Sequence, residues 1–230
     1  MIYRVSVLVA VTLFALIFIR LTGGYTERLA LRALAEYYVS RAPLELGVSN
    51  IVTGILIAYR GFDTLGEVAV LFMVAASVGL LLRKDDAGFK EAEERRRRPA
   101  SEIVMTGSQV LLPVILTFGA YVIVNGHLSA GGGFQGGAIV ASGVMLLLLA
   151  DPGARLNAAA LSVIESLAGI TYVAIGILGL ILAGGFLDPR FLPPGEAGTF
   201  LSAGAIPLVS ALLGIKVGAE LSVIINRFGR

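Results

Sequence analysis

Apolar residues run along this chain in long blocks, separated by short polar or glycine-rich stretches. A helix that crosses a bilayer needs about 20 mostly apolar residues, in a range of about 17–25. The blocks that meet or approach this length are Val5–Leu21, Leu46–Tyr59, Gly66–Leu82, Ile103–Asn125, Phe134–Ala150, Val163–Gly184 and Gly198–Asn226. They predict an all-α, polytopic transmembrane protein of about seven spans. Leu46–Tyr59 is short for a span, and its length equally suits a re-entrant or buried segment. The last block contains Pro207, Lys216 and Glu220, which predicts a kink and a second half shielded from lipid. Between Leu21 and Leu46, leucines and tyrosines alternate at helical spacing with Glu27, Arg28, Arg32 and Glu36, so this stretch is expected to lie along the membrane interface.

Composition supports the bilayer as solvent: 57% of the residues are hydrophobic and 15% are charged, far from the balance of an ordinary soluble domain. Arg4 before the first apolar block resembles the start of a signal peptide. No small-residue cleavage site follows, and Arg20 closes the block, so a retained span is expected.

The net charge of +2 has no aromatic-rich basic surface behind it, which excludes nucleic acid as a partner. Cysteine is absent and there is a single histidine, so neither an iron–sulfur cluster nor a zinc or haem site is expected on this chain. If Leu46–Tyr59 crosses, fourteen of the eighteen basic residues fall on one side. Cytoplasmic loops collect Lys and Arg, so this predicts an outer N-terminus, a cytoplasmic C-terminus and residence in the cell membrane. The charged stretch 83–101 is then a cytoplasmic linker between modules 1–82 and 102–230.

Ionisable groups inside spans are costly and point to function. Arg60, Asp63 and Glu67 fall in "YRGFDTLGE". A helix starting near Gly61 puts both carboxylates on one face with Arg60 a turn away, an arrangement suited to passing a proton or holding Na⁺. A structural ion-pair cluster is the alternative. Glu165 lies near the end of a span, either in an ion path or reaching for the headgroups. Lys216 and Glu220 are four apart on one face, either a titrating proton-coupling pair or a static salt bridge.

His127 lies in "NGHLSAGGGFQGG", where a span meets the outer face. An imidazole there suits proton exchange, whereas a satisfied polar side chain is the plainer role. The glycines suggest a nucleotide loop. No strand precedes them and no Gly-Lys-Ser/Thr ending follows, so no nucleotide is expected.

The stretch from His127 to Gly137 strongly resembles the pattern His-x-x-Pro-Gly-Gly-Gly-Phe-Gln-Gly-Gly of the B subunit of Mrp-type multisubunit Na⁺/H⁺ antiporters, the MnhB domain. Relatives occur in membrane-bound hydrogenase and sulfane-sulfur reductase complexes. His127, Gly131–Gly133, Phe134, Gln135, Gly136 and Gly137 match, and Ala130 stands where proline is usual, which predicts a looser turn. The resemblance covers residues 101–230. The first half is similar to the C-terminal part of the antiporter's A subunit, or the small E-type subunit of the hydrogenase relatives. Arg60, Gly61, Asp63, Thr64, Gly66 and Glu67 carry that match. Where family members often have an acidic residue two before the arginine, this chain has Ala58.

The resemblance implies a component of a large complex that moves Na⁺ against H⁺, with pumping subunits and, in some relatives, a redox arm on other chains. It places Asp63, Glu67, His127 and Phe134 along an ion path between this chain and its neighbours. Na⁺ and H⁺ are then cargo, with at most a transient Na⁺ at Asp63 and Glu67, and no resident metal or cofactor is expected. The competing expectation is a scaffold that orients neighbouring subunits without touching ions.

Overall fold

The computed structural model describes residues 2–26, 30–82, 100–151, 153–154 and 156–228, and every regular element among them is helical. Apart from Ala100 and Ser101, the charged linker expected over 83–101 lies outside the described residues, as do Glu27, Arg28, Arg155 and Arg230.

Up to Glu36 the chain forms a unit by itself. Its helix α1, Ile2–Gly23, has no buried face: Leu8, Phe14, Phe18 and Ile19 are all exposed. Such a surface is stable in lipid, where backbone groups must be satisfied within the helix. The same demand is met for two hydroxyls, since Thr12 and Thr22 donate back to the carbonyls of Leu8 and Phe18, each at 2.8 Å.

The second unit runs from Tyr37 to Arg230. Helix α2, Ala33–Leu46, ends where Gly47 adopts a φ of +67°, a conformation that favours glycine. Asn50 then caps α3, Ile51–Gly54, by accepting from the Thr53 amide, and the helix continues as a π-helical turn over Ile55–Tyr59. The axis bends by 84° between Leu46 and Ile51.

This revises the reading of Leu46–Tyr59 as a span. The nine residues from Ile51 to Tyr59 reach only about 13 Å, under half of the hydrocarbon thickness of about 30 Å. The segment crosses only as a broken span together with α2, or it re-enters. The helix expected along 21–46 likewise starts at Ala33.

Five long helices complete the unit: α4 (Gly61–Leu82), α5 (Glu102–Val124), α6 (Gly133–Ala150), α7 (Ala158–Ala183) and α8 (Ile206–Phe228). With α1, six helices among the described residues are long and apolar enough to cross a membrane, or seven spans if the bent pair counts as one. The kink expected at Pro207 is not there. Pro207 occupies the first turn of α8, where its missing N–H has no intrahelical acceptor to lose, and residues 198–205 lie outside the helix.

Helix α8 is the hub. Thirteen of its residues are buried, including Ser210, Lys216, Glu220 and Ser222. Lipid gives apolar helices little reason to associate, so membrane packing depends on close backbone approach at small residues. A Cβ at Gly137 of α6 would stand 2.8 Å from the Gly214 carbonyl and 2.9 Å from Val217 Cβ of α8. One at Gly119 of α5 would stand 2.8 Å from Val140 Cγ2 of α6.

Landmarks along the helices fix their directions. The Phe62 ring at the start of α4 stacks on Phe186, just beyond α7, at 5.0 Å between centroids. Arg227 near the end of α8 donates to the Ala75 carbonyl of α4 at 3.0 Å. Helices α4 and α8 therefore run parallel, with α7 antiparallel to both.

Residues 60, 127 and 190 gather at one end of this unit and Arg227 at the other. At the first end, Asp188 accepts from the Arg190 backbone N–H at 3.0 Å and from its Nε at 2.9 Å. Burial alone would raise the Asp188 carboxyl, but these bonds and the guanidinium charge outweigh it and hold the group below its ordinary value.

Candidate functional site

Near the middle of the second unit, Lys216 Nζ donates to Glu165 Oε1 at 2.9 Å and to Glu220 Oε2 at 3.1 Å. The Lys216 and Glu220 side chains are 8% and 0% exposed, so most of this cluster is buried. Ten residues separate Lys216 from the start of α8, about 15 Å along its axis, which places the ammonium near the midplane of a span about 30 Å thick. The i,i+4 spacing on α8 brings Lys216 and Glu220 together as their sequence predicts. Glu165, by contrast, arrives from α7 and does not reach for headgroups.

The Phe72 ring of α4 stands 5.9 Å from Lys216 Nζ, a distance at which an aromatic face still attracts a cation. Glu220 Oε1 has no hydrogen-bond partner among the described residues. An open, largely apolar cleft of about 560 Å³, lined by Phe72, Ile170, Val173 and Ile177, reaches Lys216 and Glu165.

Toward the Gly61 end, Arg60 Nε donates to Asp63 Oδ2 at 2.6 Å, and both side chains are about half exposed. That ion pair occupies Asp63. Glu67, one turn further, is exposed and has no hydrogen bond or ion pair among the described residues. Along α4 the charged groups therefore run from Asp63 with Arg60 to Glu67, and Phe72 then stands at the depth of Lys216 and its two glutamates.

His127 stands apart from these groups, whereas Phe134 packs against residues of α4, α7 and α8. His127 is 1% exposed, its Nε2 lies 3.1 Å from the Phe200 carbonyl, and its Nδ1 has no partner among the described residues. Its own carbonyl accepts from the backbone N–H groups of Ser49 and Asn50. Phe134 packs against the apolar core formed by Ile57, Val68, Tyr172 and Leu213, among others.

The glycine loop is held from outside. Asn50 Nδ2 donates to the carbonyls of Gly126 at 2.8 Å and Ser129 at 2.7 Å, and the Thr53 hydroxyl donates to the Gly126 carbonyl at 2.7 Å. Gly131 and Gly132, at φ +140° and +151°, occupy backbone regions that side chains rarely enter. Asn50 and Thr53 therefore constrain the loop in which Ala130 stands where proline is usual.

Truncating Asn50 to alanine is expected to cost about 1–3 kcal/mol, since the part-buried Ser129 carbonyl loses its donor and the Gly126 carbonyl keeps only that of Thr53. The check is amide hydrogen exchange, which should accelerate across residues 126–132 while α8 stays protected.

Asn50 and Glu45 carry bonds that the sequence reading missed, and Tyr172 carries a buried, unbonded hydroxyl that it did not single out. The cap signal was present for Asn50, an Asn three residues before Thr53 at the head of an apolar run. Glu45, which accepts from the hydroxyls of Tyr59 at 2.6 Å and Tyr37 at 3.2 Å, is bonded across the bend between α2 and the π-helical turn, a geometry no local pattern signals. Tyr172 stands in an apolar run with nothing around it to set it apart.

Apolar helices enclosing a midplane charge cluster define a polytopic membrane protein with ionisable groups inside its spans. A family model described as the domain related to the MnhB subunit of Na⁺/H⁺ antiporter matches residues 103–223, more than half of the chain, and the chain belongs to that family. A second model, for the E subunit of MBH, matches residues 3–110.

Among solved structures, a chain of the membrane-bound sulfane sulfur reductase, an archaeal respiratory membrane complex, superposes with a TM-score of 0.80 at 32% identity. The match covers 99% of this chain and 98% of that one. A chain of the Mrp complex from Dietzia sp. DQ12-45-1b shares the fold, with a TM-score of 0.77 at 24% identity over 98% of this chain and 26% of that one. The B subunit of the Na⁺/H⁺ antiporter of Bacillus subtilis is 35% identical over 81 residues, which span 35% of this chain and about half, 51%, of that protein.

Proposed function

We propose that this chain is a membrane subunit of a multisubunit cation/proton antiporter-type complex and contributes to Na⁺ translocation coupled to H⁺ movement. The observation that carries the reading is Lys216 bonded at once to Glu165 and Glu220 at mid-span. Fully ionised, that cluster has two negative charges and one positive. An uncompensated charge at membrane depth is expensive, so the cluster is stable when it also holds a proton or a small cation. Exchanging one for the other at such a site is the elementary act of an antiporter.

Membership of the MnhB family and the likeness to chains of the sulfane sulfur reductase and Mrp complexes support this reading. In it the partners are neighbouring subunits of the complex, and any redox arm belongs to them. Glu67, free of a fixed partner, and Asp63 are the entry ligands for Na⁺ or H⁺. His127 guards the outer end, Phe134 borders the path, and the linker and C-terminus face the cytoplasm. The modules 1–82 and 102–230 correspond to two neighbouring antiporter subunits joined in one chain.

The test is sodium-driven ΔpH in vesicles carrying the assembled complex. Glu67→Gln is expected to slow it about tenfold or more, in line with the loss of a proton-transferring group, and His127→Ala to impair it at unchanged assembly. Normal transport in both variants would overturn the path. Reduced assembly with normal transport per complex would instead establish the scaffold.

A further inference from the structure

Tyr172 is 2% exposed, and its hydroxyl is buried without a hydrogen-bond partner among the described residues. A buried, unbonded hydroxyl is worse for packing than the bare ring of phenylalanine. Core packing therefore explains the ring but not the oxygen.

The position of the oxygen offers an explanation. Glu165, Gly169 and Tyr172 follow one another at i, i+4 and i+7, so they share one face of α7. That face meets Lys216: a Cβ at Gly169 would stand 3.7 Å from Lys216 Cδ. On its other side Tyr172 belongs to the apolar cluster that includes Leu65 and Val68 of α4, the residues bracketing Glu67. Glu67 and Phe72 are five residues apart on α4, about 7.5 Å along the axis, and Phe72 marks the depth of Lys216. That axial separation is too long for one hydrogen bond, and Tyr172, packed with Leu65 and Val68 and sharing a helix face with Glu165, adjoins both neighbourhoods.

We propose that the Tyr172 hydroxyl relays protons between Glu67 and the Lys216–Glu165–Glu220 cluster. The Glu67 side chain, free of a fixed partner, swings toward the phenol. The phenolic oxygen takes the proton of the protonated Glu67 carboxyl while its own O–H proton passes to the Glu165 or Glu220 carboxylate. One O–H bond forms at Tyr172 as another breaks, no electrons are exchanged, and one proton has moved from Glu67 to the cluster. The ionisable groups carried by the elements packed around Tyr172 include Glu67 on α4, Glu165 on its own helix, Lys216 and Glu220 on α8, and Tyr59 on the π-helical turn packed on the same core. The relay rests on the proposed ion path through Glu67.

Tyr172→Phe tests it in vesicles carrying the assembled complex, with Glu67→Gln measured beside it. Because only an unbonded hydroxyl is removed, Tyr172→Phe is expected to assemble in full. Transport should fall about tenfold or more, and its pH profile should lose the limb that depends on proton transfer through the phenol. Slow transport in Glu67→Gln with an unchanged rate and pH profile in Tyr172→Phe would overturn the relay and leave the path standing. Normal rates in both would overturn the relay together with the path. A lower amount of Tyr172→Phe complex, with an unchanged rate per complex, would overturn the relay in favour of a packing role.

Discussion

Lys216→Met is expected to abolish coupled ion movement and to destabilise the second unit by about 3–5 kcal/mol, the cost of stripping one partner from a buried charge set. The ammonium is bonded to two carboxylates at 2.9 and 3.1 Å, and neither has another cation in contact among the described residues. Both must then take up protons or draw in water. A second variant separates energetics from function. Lys216→Met combined with Glu165→Gln and Glu220→Gln leaves no buried charge, so most of the lost stability should return while transport stays absent. Thermal unfolding and sodium-driven ΔpH, measured on the same preparations, check the two halves. Transport by the triple variant would show that the cluster is a static tie between α7 and α8.

Gly137→Val is expected to prevent stable packing of α6 on α8. Even the Cβ of alanine would come within 2.8 Å of the Gly214 carbonyl and 3.0 Å of the Gly218 amide nitrogen, and backbone cannot yield as a flexible side chain does. Overpacking of this kind costs about 1–3 kcal/mol, and the two further methyl groups of valine raise the cost. The readout is loss of folded protein in detergent and of incorporation into the complex. Gly107→Ala in α5 is the control. Nothing lies within 4 Å of its Cβ, so it should be neutral or gain up to about 1 kcal/mol from helix propensity.

Both predictions depend on tertiary contacts, and this marks where the sequence stops. The spans from α4 to α7 were legible because a bilayer imposes a length on each apolar run, and the helices at Glu102–Val124 and Gly133–Ala150 begin and end within one residue of the runs that predict them. The start of α8 was missed by eight residues because Pro207 suggested a kink, whereas at the first turn a proline is harmless. Leu46–Tyr59 suggested a span because its apolar content resembles one; Gly47 and the Asn50 cap break the axis there.

The candidate site divides along the same line. Lys216 with Glu220, and Arg60 with Asp63, are local pairs set by helical periodicity, and their residue types and spacing determine them. The polytopic helical class and the family follow equally from hydrophobic run length and the glycine motif. Only the tertiary structure joined Glu165 to Lys216 across 51 residues of sequence. Only it left the Tyr172 hydroxyl buried and unbonded among the described residues, and put Asn50, 76 residues from Gly126, in charge of the glycine loop. The physical reason is that spacing along one helix fixes which residues share a face, whereas which faces meet depends on where glycines let two backbones approach.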